Sequence, residues 1–245
     1  MALDRVKILV LGDSGVGKTC LVHLLRKQQV LSSPAWTIGC SIEIQPYEFT
    51  KRGPSKTYFF ELWDVGGSFA HQSARSIFYN SYHGLILVHD LTNRKSYGNL
   101  SRWLAEVLSS SGESGTGGYG HARKQSKPVI DFDPEQYLEN QVPILVVGTK
   151  QDLIGPVQED KRFHGVAEGA GAEYMNVNCM DQKQFLSGSP NQIKVQDFFD
   201  KVIERKFYSK SQGYASTGEK RRSQVGLTVN RRYDAKMKDD ASNLL

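Results

Sequence analysis

Cysteine is scarce in this chain: 245 residues contain three, Cys20, Cys40 and Cys179. Their number is odd and none form a close pair, which excludes a disulfide scaffold and offers neither a zinc site nor a redox dithiol. A reducing, cytoplasmic setting is expected. Long apolar runs are missing too, and nothing approaches the roughly 18 consecutive apolar residues that would span a bilayer. Met1 to Leu11 carries Asp4, Arg5 and Lys7 before a short apolar run. A glycine-rich loop follows where a signal peptide would be cleaved, so the segment reads as a first strand. Position 2 is Ala2 and the last residues are Asn243, Leu244 and Leu245. Without a myristoylation glycine or a C-terminal prenylation cysteine, no stable membrane anchor is expected.

What is present suits a folded domain. With 39% hydrophobic, 10% aromatic and 23% charged residues the chain can bury a core, which excludes wholesale disorder, collagen and coiled coil. The net charge of +5 is uneven. Residues 205–245 hold ten Lys and Arg against four Asp and Glu, a net +6, leaving the first 204 residues at −1. That segment, rich in Ser, Gly and Asn, reads as a basic, disordered tail; it is a solubilising end or a landing site for anionic lipid, RNA or an acidic partner. Nucleic acid is the less favoured of these. A second irregular stretch, about 109–141, opens with Ser109, Ser110, Ser111 and Gly112 and reads as an insertion between regular elements. The remaining residues, about 170, make one domain.

In that core short apolar runs alternate with helical patterns. Val6–Leu11, Leu85–Val88 and Pro143–Val147 are buried strands, and Thr57–Trp63 alternates like a strand leading to Asp64. Gly17–Gln28 and Ser96–Leu108 have helical spacing, and Val195, Phe198, Phe199, Val202 and Ile203 mark the apolar face of a closing helix that starts at Ile193. Such alternation means an α/β fold, a mostly parallel sheet covered by helices on both faces, with ligands outside the carboxyl ends of the strands.

The chemistry starts directly after the first strand. Gly12, Asp13, Ser14, Gly15, Val16, Gly17, Lys18 and Thr19 match the phosphate-binding loop in its required place between strand and helix. Glycines let the backbone N–H groups wrap an anion and the helix N-terminus adds positive potential; Lys18 reaches the β and γ phosphates and Thr19 offers a hydroxyl to Mg²⁺. Alone, this leaves ATP kinases, ATPases and GTPases open. Asp64, Val65, Gly66 and Gly67 then end a strand, putting Asp64 at the magnesium shell and the backbone N–H of Gly67 near the γ-phosphate. Gly148, Thr149, Lys150, Gln151 and Asp152 follow another buried strand. A carboxylate at Asp152 can accept two hydrogen bonds from guanine, which adenine cannot offer, while the stem of Lys150 covers the base plane.

These motifs, with Thr37, Ile38 and Gly39 after the first helix, make the chain resemble the Ras-superfamily small GTPases, and its Gly-Asp-Ser-Gly-Val-Gly-Lys loop is similar to the Rab branch. The resemblance covers residues 5 to about 206. It implies a six-stranded P-loop NTPase fold over residues 1–206, GTP or GDP with Mg²⁺ as cofactors, and Thr19, Thr37 and Asp64 as the metal-holding residues. It further implies switch regions at 31–40 and 67–83 that meet regulators or effectors, and it suggests a homodimer, with Phe69, Ile77 and Phe78 as apolar switch residues; Ile77 and Phe78 are equally readable as core. Cys20 completes the phosphate-loop contacts. Residues 207–245 would then be the tail.

Several positions depart from the family pattern. Ser68 stands where the water-orienting glutamine is expected, and a short hydroxyl reaches poorly to an in-line water, so hydrolysis slower than the family's roughly 10⁻⁴ per second is expected. Thr149 stands where most members have asparagine, losing an amide that ties the base loop to the phosphate loop. The last base loop reads Asn178, Cys179, Met180, where the N–H of Cys179 is the candidate donor to guanine. Trp36 is a partner-binding aromatic or a lid over the ribose. The six histidines show no ligand spacing. The function expected is a nucleotide-dependent switch with slow GTP hydrolysis; the alternative is a GTP-bound scaffold or adaptor with little turnover, acting on other small GTPases or their carriers.

Overall fold

The computed structural model describes residues 3–111, 142–154, 167 and 171–209, all within one compact unit. The expected insertion lies almost wholly outside these residues, as does the tail beyond Ser209. The sheet has six strands, β1 (Arg5–Leu11), β2 (Cys40–Phe49), β3 (Lys56–Val65), β4 (Gly84–Asp90), β5 (Ile144–Thr149) and β6 (Glu173–Asn176). Their spatial order is β2-β3-β1-β4-β5-β6, with only β2 antiparallel to its neighbour. The doubly covered, mostly parallel sheet read from the sequence is therefore present.

Alternation along β1 builds two cores. Val6, Ile8 and Val10 face one side, against α1 (Lys18–Lys27) and α5 (Pro190–Ile203); Leu9 and Leu11 face the other, against α4 (Leu100–Ser111). The central strands β4 and β5 are buried on both faces, which is why their runs Leu85–Val88 and Ile144–Val147 are continuously apolar. Two strands escaped the sequence reading. In β2 the isoleucines Ile42 and Ile44 face outward and are half-exposed, which hides the usual inward pattern, and β6 is only four residues long. The helix read as Ser96–Leu108 is interrupted: α3 (Arg94–Gly98) ends at Asn99, and α4 starts at Leu100. The closing helix starts earlier than expected because Ser189 caps the N–H of Gln192 and Pro190 takes the first turn, where a missing N–H costs nothing. It runs on into a π-helical turn, Glu204–Tyr208, whose Phe207 and Tyr208 pack against the core. Those two aromatics lie past the boundary expected at 206.

The topology creates the site. β1 has β3 on one side and β4 on the other, so the connections around it diverge to opposite sides and a crevice opens outside its carboxyl end. Paired registers bring the ends of the neighbouring strands to the same edge, Val10 beside Asp64 and Asp90 beside Thr149.

Candidate functional site

Gly12 leaves β1 with φ +150°, and a Cβ there would lie 2.1 Å from the carbonyl of Val88, so only glycine lets the loop turn across β4. Gly15 and Gly17 follow at φ +77° and +95°. Gly17 caps α1 without any side-chain bond, so the first-turn N–H groups of the helix stay available to an anion. Lys18, 6% exposed, bridges the carbonyls of Gly12 (2.9 Å) and Asp13 (2.8 Å) with its Nζ. Burial pulls its ammonium down to about 8, against the opposing pull of Asp64 and Asp13. An anion brought to this lysine would restore the charged form.

Three oxygens converge beside it. The hydroxyls of Thr19 and Thr37 lie 3.0 Å apart, and both approach Asp64 Oδ2, at 2.6 and 3.1 Å. The other carboxylate oxygen, Oδ1, is buried with no hydrogen-bond partner. A buried carboxylate left half-satisfied is costly, and a hard divalent cation among hydroxyls and a carboxylate removes that cost. The donor set therefore fits Mg²⁺. Thr37 arrives on the first switch segment, next to Trp36 and Ile38, whose side chains are 85% and 84% exposed. The second switch segment leaves β3 through Gly66, whose N–H donates to the Gly39 carbonyl at 2.8 Å, and Gly67. A Cβ on Gly67 would fall 2.4 Å from the Gly12 carbonyl and 2.5 Å from Ser14 N, so this backbone lies flush against the phosphate loop.

A cavity of about 280 Å³ joins these parts, lined by Ser14, Gly15, Gly17, Lys18, Thr19, Cys20, Pro34, Ala35, Trp36, Thr37, Gly67 and Lys150. Other expected site residues stand behind or beside it. Asp13 contributes its backbone, but its carboxylate turns away to accept from Asn99 Nδ2 (2.7 Å) and Trp103 Nε1 (2.9 Å). Val16 is buried beneath the loop. Thr149 corrects an expectation: its Oγ1 lies 2.5 Å from the Val16 carbonyl and 3.0 Å from that of His89. The tie between base loop and phosphate loop therefore survives through a hydroxyl in place of an amide, with Thr149 packed against Gly17.

Lys150 takes φ +60° and lends its stem to the cavity, while its Nζ reaches Asp90 Oδ2 at 2.6 Å. The other oxygen of Asp90 accepts from Thr92 N and Oγ1 at 2.8 and 2.6 Å. Burial alone would raise this carboxyl; the bonds from Lys150 and Thr92 outweigh it and hold the group below its usual range. Asp152 is exposed on the turn Gln151–Leu153. Cys179 is buried, its thiol pushed up to about 12 chiefly by burial, with Cys20 and Asp152 near enough to add to the shift. Asn178 turns its Oδ1 onto the N–H of Met180 at 2.8 Å, shaping the last loop.

Sequence reasoning missed Asp90, Arg75, Asn99 and Trp103 as parts of this neighbourhood. A polar residue ending a buried strand was the available signal for Asp90; the others act across sequence distances that no local pattern reports. Of the apolar switch residues, Phe69 and Ile77 are exposed, whereas Phe78 is half-buried and packs near Trp63, so Ile77 is not core. His89 is a buried core residue. Among the described residues no helix is long and apolar enough to cross a membrane.

Comparison with known proteins gives the same family. Residues 7–116 match the Ras family model. The chain is 46% identical to Rab-like protein 3 of Mus musculus over 219 residues, 84% of this chain and 88% of that protein. It is 42% identical to Rab-like protein 3 of Xenopus tropicalis over 245 residues, 95% and 99% of the two chains. It is 35% identical to small GTPase LIP1 of Arabidopsis thaliana over 158 residues, 61% of this chain and 42% of that protein. With its phosphate loop, its fold and relatives of this similarity along most of its length, the chain belongs to the Ras family of small GTPases, in its Rab-like group.

Proposed function

We propose that the chain binds GTP and GDP with Mg²⁺ in the cavity beneath Lys18 and works as a nucleotide-dependent switch with slow hydrolysis. The observation that carries this is the meeting of Thr19, Thr37 and Asp64 oxygens, one of them orphaned, beside a buried lysine and an uncapped helix N-terminus. In this reading the three residues hold the metal, which when bound neutralises phosphate charge. Gly12 to Cys20 wrap the phosphates, Gly67 meets the γ-phosphate, and Thr149, Lys150, Asp152, Asn178 and Cys179 form the guanine end. Thr37 then links nucleotide state to the exposed Trp36 and Ile38, which regulators or effectors would read. Free thiols at Cys20, Cys40 and Cys179 suit a cytoplasmic setting, and a homodimer could use the exposed Phe69 and Ile77.

Slow turnover is supported by Ser68. Its carbonyl is held by Arg75 at 3.1 Å, and its short side chain brings no amide to the γ-phosphate end. The same observation favours a second reading, a GTP-bound scaffold in which the nucleotide is structural. The direct test is to identify the nucleotide that copurifies with the full chain and to follow one turnover of bound GTP. Retention of guanine nucleotide with cleavage well below about 10⁻⁴ per second is expected. Partner capture that differs between GDP and a nonhydrolysable GTP analogue marks the switch; equal capture marks the scaffold. Protein that retains neither nucleotide in the presence of magnesium ends both readings.

A further inference from the structure

The second switch segment is tied down by polar side chains that lie outside the nucleotide contacts. Arg75, on the short helix α2 (Gln72–Arg75) of that segment, is 2% exposed. It donates Nε and Nη2 to the two oxygens of Glu106 on α4, at 3.1 and 2.9 Å. Its Nη1 donates to the carbonyls of Ser68 (3.1 Å) and Gly66 (3.4 Å), so one guanidinium grips the backbone on both sides of Gly67. Tyr79 adds its hydroxyl to Glu106 at 2.7 Å. The guanidinium lies over the Trp103 ring at 4.2 Å, and the indole N–H of Trp103 reaches the Asp13 carboxylate of the phosphate loop.

Polar bonds hold this segment together with the core packing of Tyr79 and Phe78, while a cavity of about 310 Å³ runs alongside it, bordered by Phe69, Arg75, Arg102 and Glu106 among others. A planar bidentate pair with this little exposure has one low-energy arrangement, and leaving either charge unpartnered is expensive. The Gly66–Ser68 backbone is thus held in one place by α4 and the phosphate loop together.

Resting on the assignment of Gly67 to the γ-phosphate, we propose that Arg75, Glu106 and Trp103 are positioning residues that set the preference for GTP over GDP. They hold Gly67 where a γ-phosphate would meet it, so a triphosphate does not have to order the segment on binding. A diphosphate makes no contact there and gains nothing from the arrangement. The preference is accordingly set partly from α4, a helix that does not line the nucleotide cavity.

The test measures the affinity of the full chain for GDP and for a nonhydrolysable GTP analogue, with magnesium, before and after Glu106→Gln and Trp103→Phe. Glu106→Gln is expected to weaken the analogue by about tenfold and to leave GDP within about twofold, as removal of a charge-assisted bond predicts. Trp103→Phe keeps a ring beneath Arg75 and gives up the bond to Asp13, so a smaller loss in the same direction is expected. Hydrogen exchange of the neighbouring Gly66 amide, whose N–H donates to the Gly39 carbonyl at 2.8 Å, in the GDP-bound wild-type chain gives a third measurement, which stands even where a variant does not fold. Protection there supports the proposal, and exchange as fast as in an unstructured peptide overturns it. Equal losses for both nucleotides, or no loss for either, also overturn it while leaving nucleotide binding intact. A wild-type chain that binds neither nucleotide refutes the site assignment instead.

Discussion

Lys18 concentrates the electrostatics of the site, since among the described residues its buried ammonium has only backbone carbonyls as acceptors. Lys18→Ala is expected to lower affinity for both GDP and GTP by roughly a hundredfold or more, the worth of two charge-assisted bonds, as read by titration with a fluorescent nucleotide. Thr149 works through one hydroxyl between two carbonyls. Thr149→Val keeps the shape and removes the donor, leaving Val16 O unpaired in a buried place; about tenfold weaker binding of both nucleotides is expected, with Thr149→Ser near wild type. If Thr149→Val binds as tightly as the parent, the hydroxyl does not support the base loop. At this scale the sequence showed residue types and their spacing, enough to find Lys18, Thr19, Asp64 and Thr149. It could not show where Asp13 turns. A carboxylate within a phosphate loop reads as a nucleotide neighbour until Asn99 and Trp103, far along the chain, are seen to take both of its oxygens.

Among the elements, α5 and the turn after it pack against the β2–β3 edge of the sheet. Phe199 stacks on Phe60 of β3 at 4.1 Å and meets Tyr47 of β2 edge-on at 5.4 Å. Phe199→Ala is expected to cost about 3–5 kcal/mol by urea unfolding, because a core aromatic leaves a cavity that its neighbours fill only in part. Downstream, Tyr208 packs against Phe49 and its hydroxyl lies 3.2 Å from that of Tyr58, while Phe207 packs on Tyr58 at 4.9 Å. A chain ending at Ser209 should keep these contacts and melt near the full-length value; one ending at Ile203 should melt several degrees lower. Equal melting of the two would deny the terminal aromatics any part in stability. The apolar period of α5 was legible because its buried stripe recurs at helical spacing. The start of α5 and the break at Asn99 were not, since capping and the pull of Asp13 on Asn99 belong to particular partners.

For the whole molecule the sensitive variable is pH, because two imidazoles are neutral inside the fold. Burial pushes His89 and His83 down to about 4 from 6.5, with Lys206 adding to the effect at His83. In the unfolded chain both take up protons below about 6.5, which the folded chain refuses, so their contribution to stability is complete above that pH and is lost as pH falls toward 4. Unfolding midpoints measured from pH 7.5 to 4.5 should decline with a slope approaching two protons, and His83→Gln should remove about one of them. A slope unchanged by that variant would mean His83 titrates alike in both states. The sequence by itself determined the alternation of strands and helices, the phosphate loop and the residue types of the proposed metal and guanine ends, because these follow from local periodicity and fixed spacing. Only the tertiary structure decided which residues clamp the second switch, what Lys150 and Thr149 bond to, and which histidines are buried, because each of those depends on partners brought together from distant parts of the chain by the order of strands in the sheet.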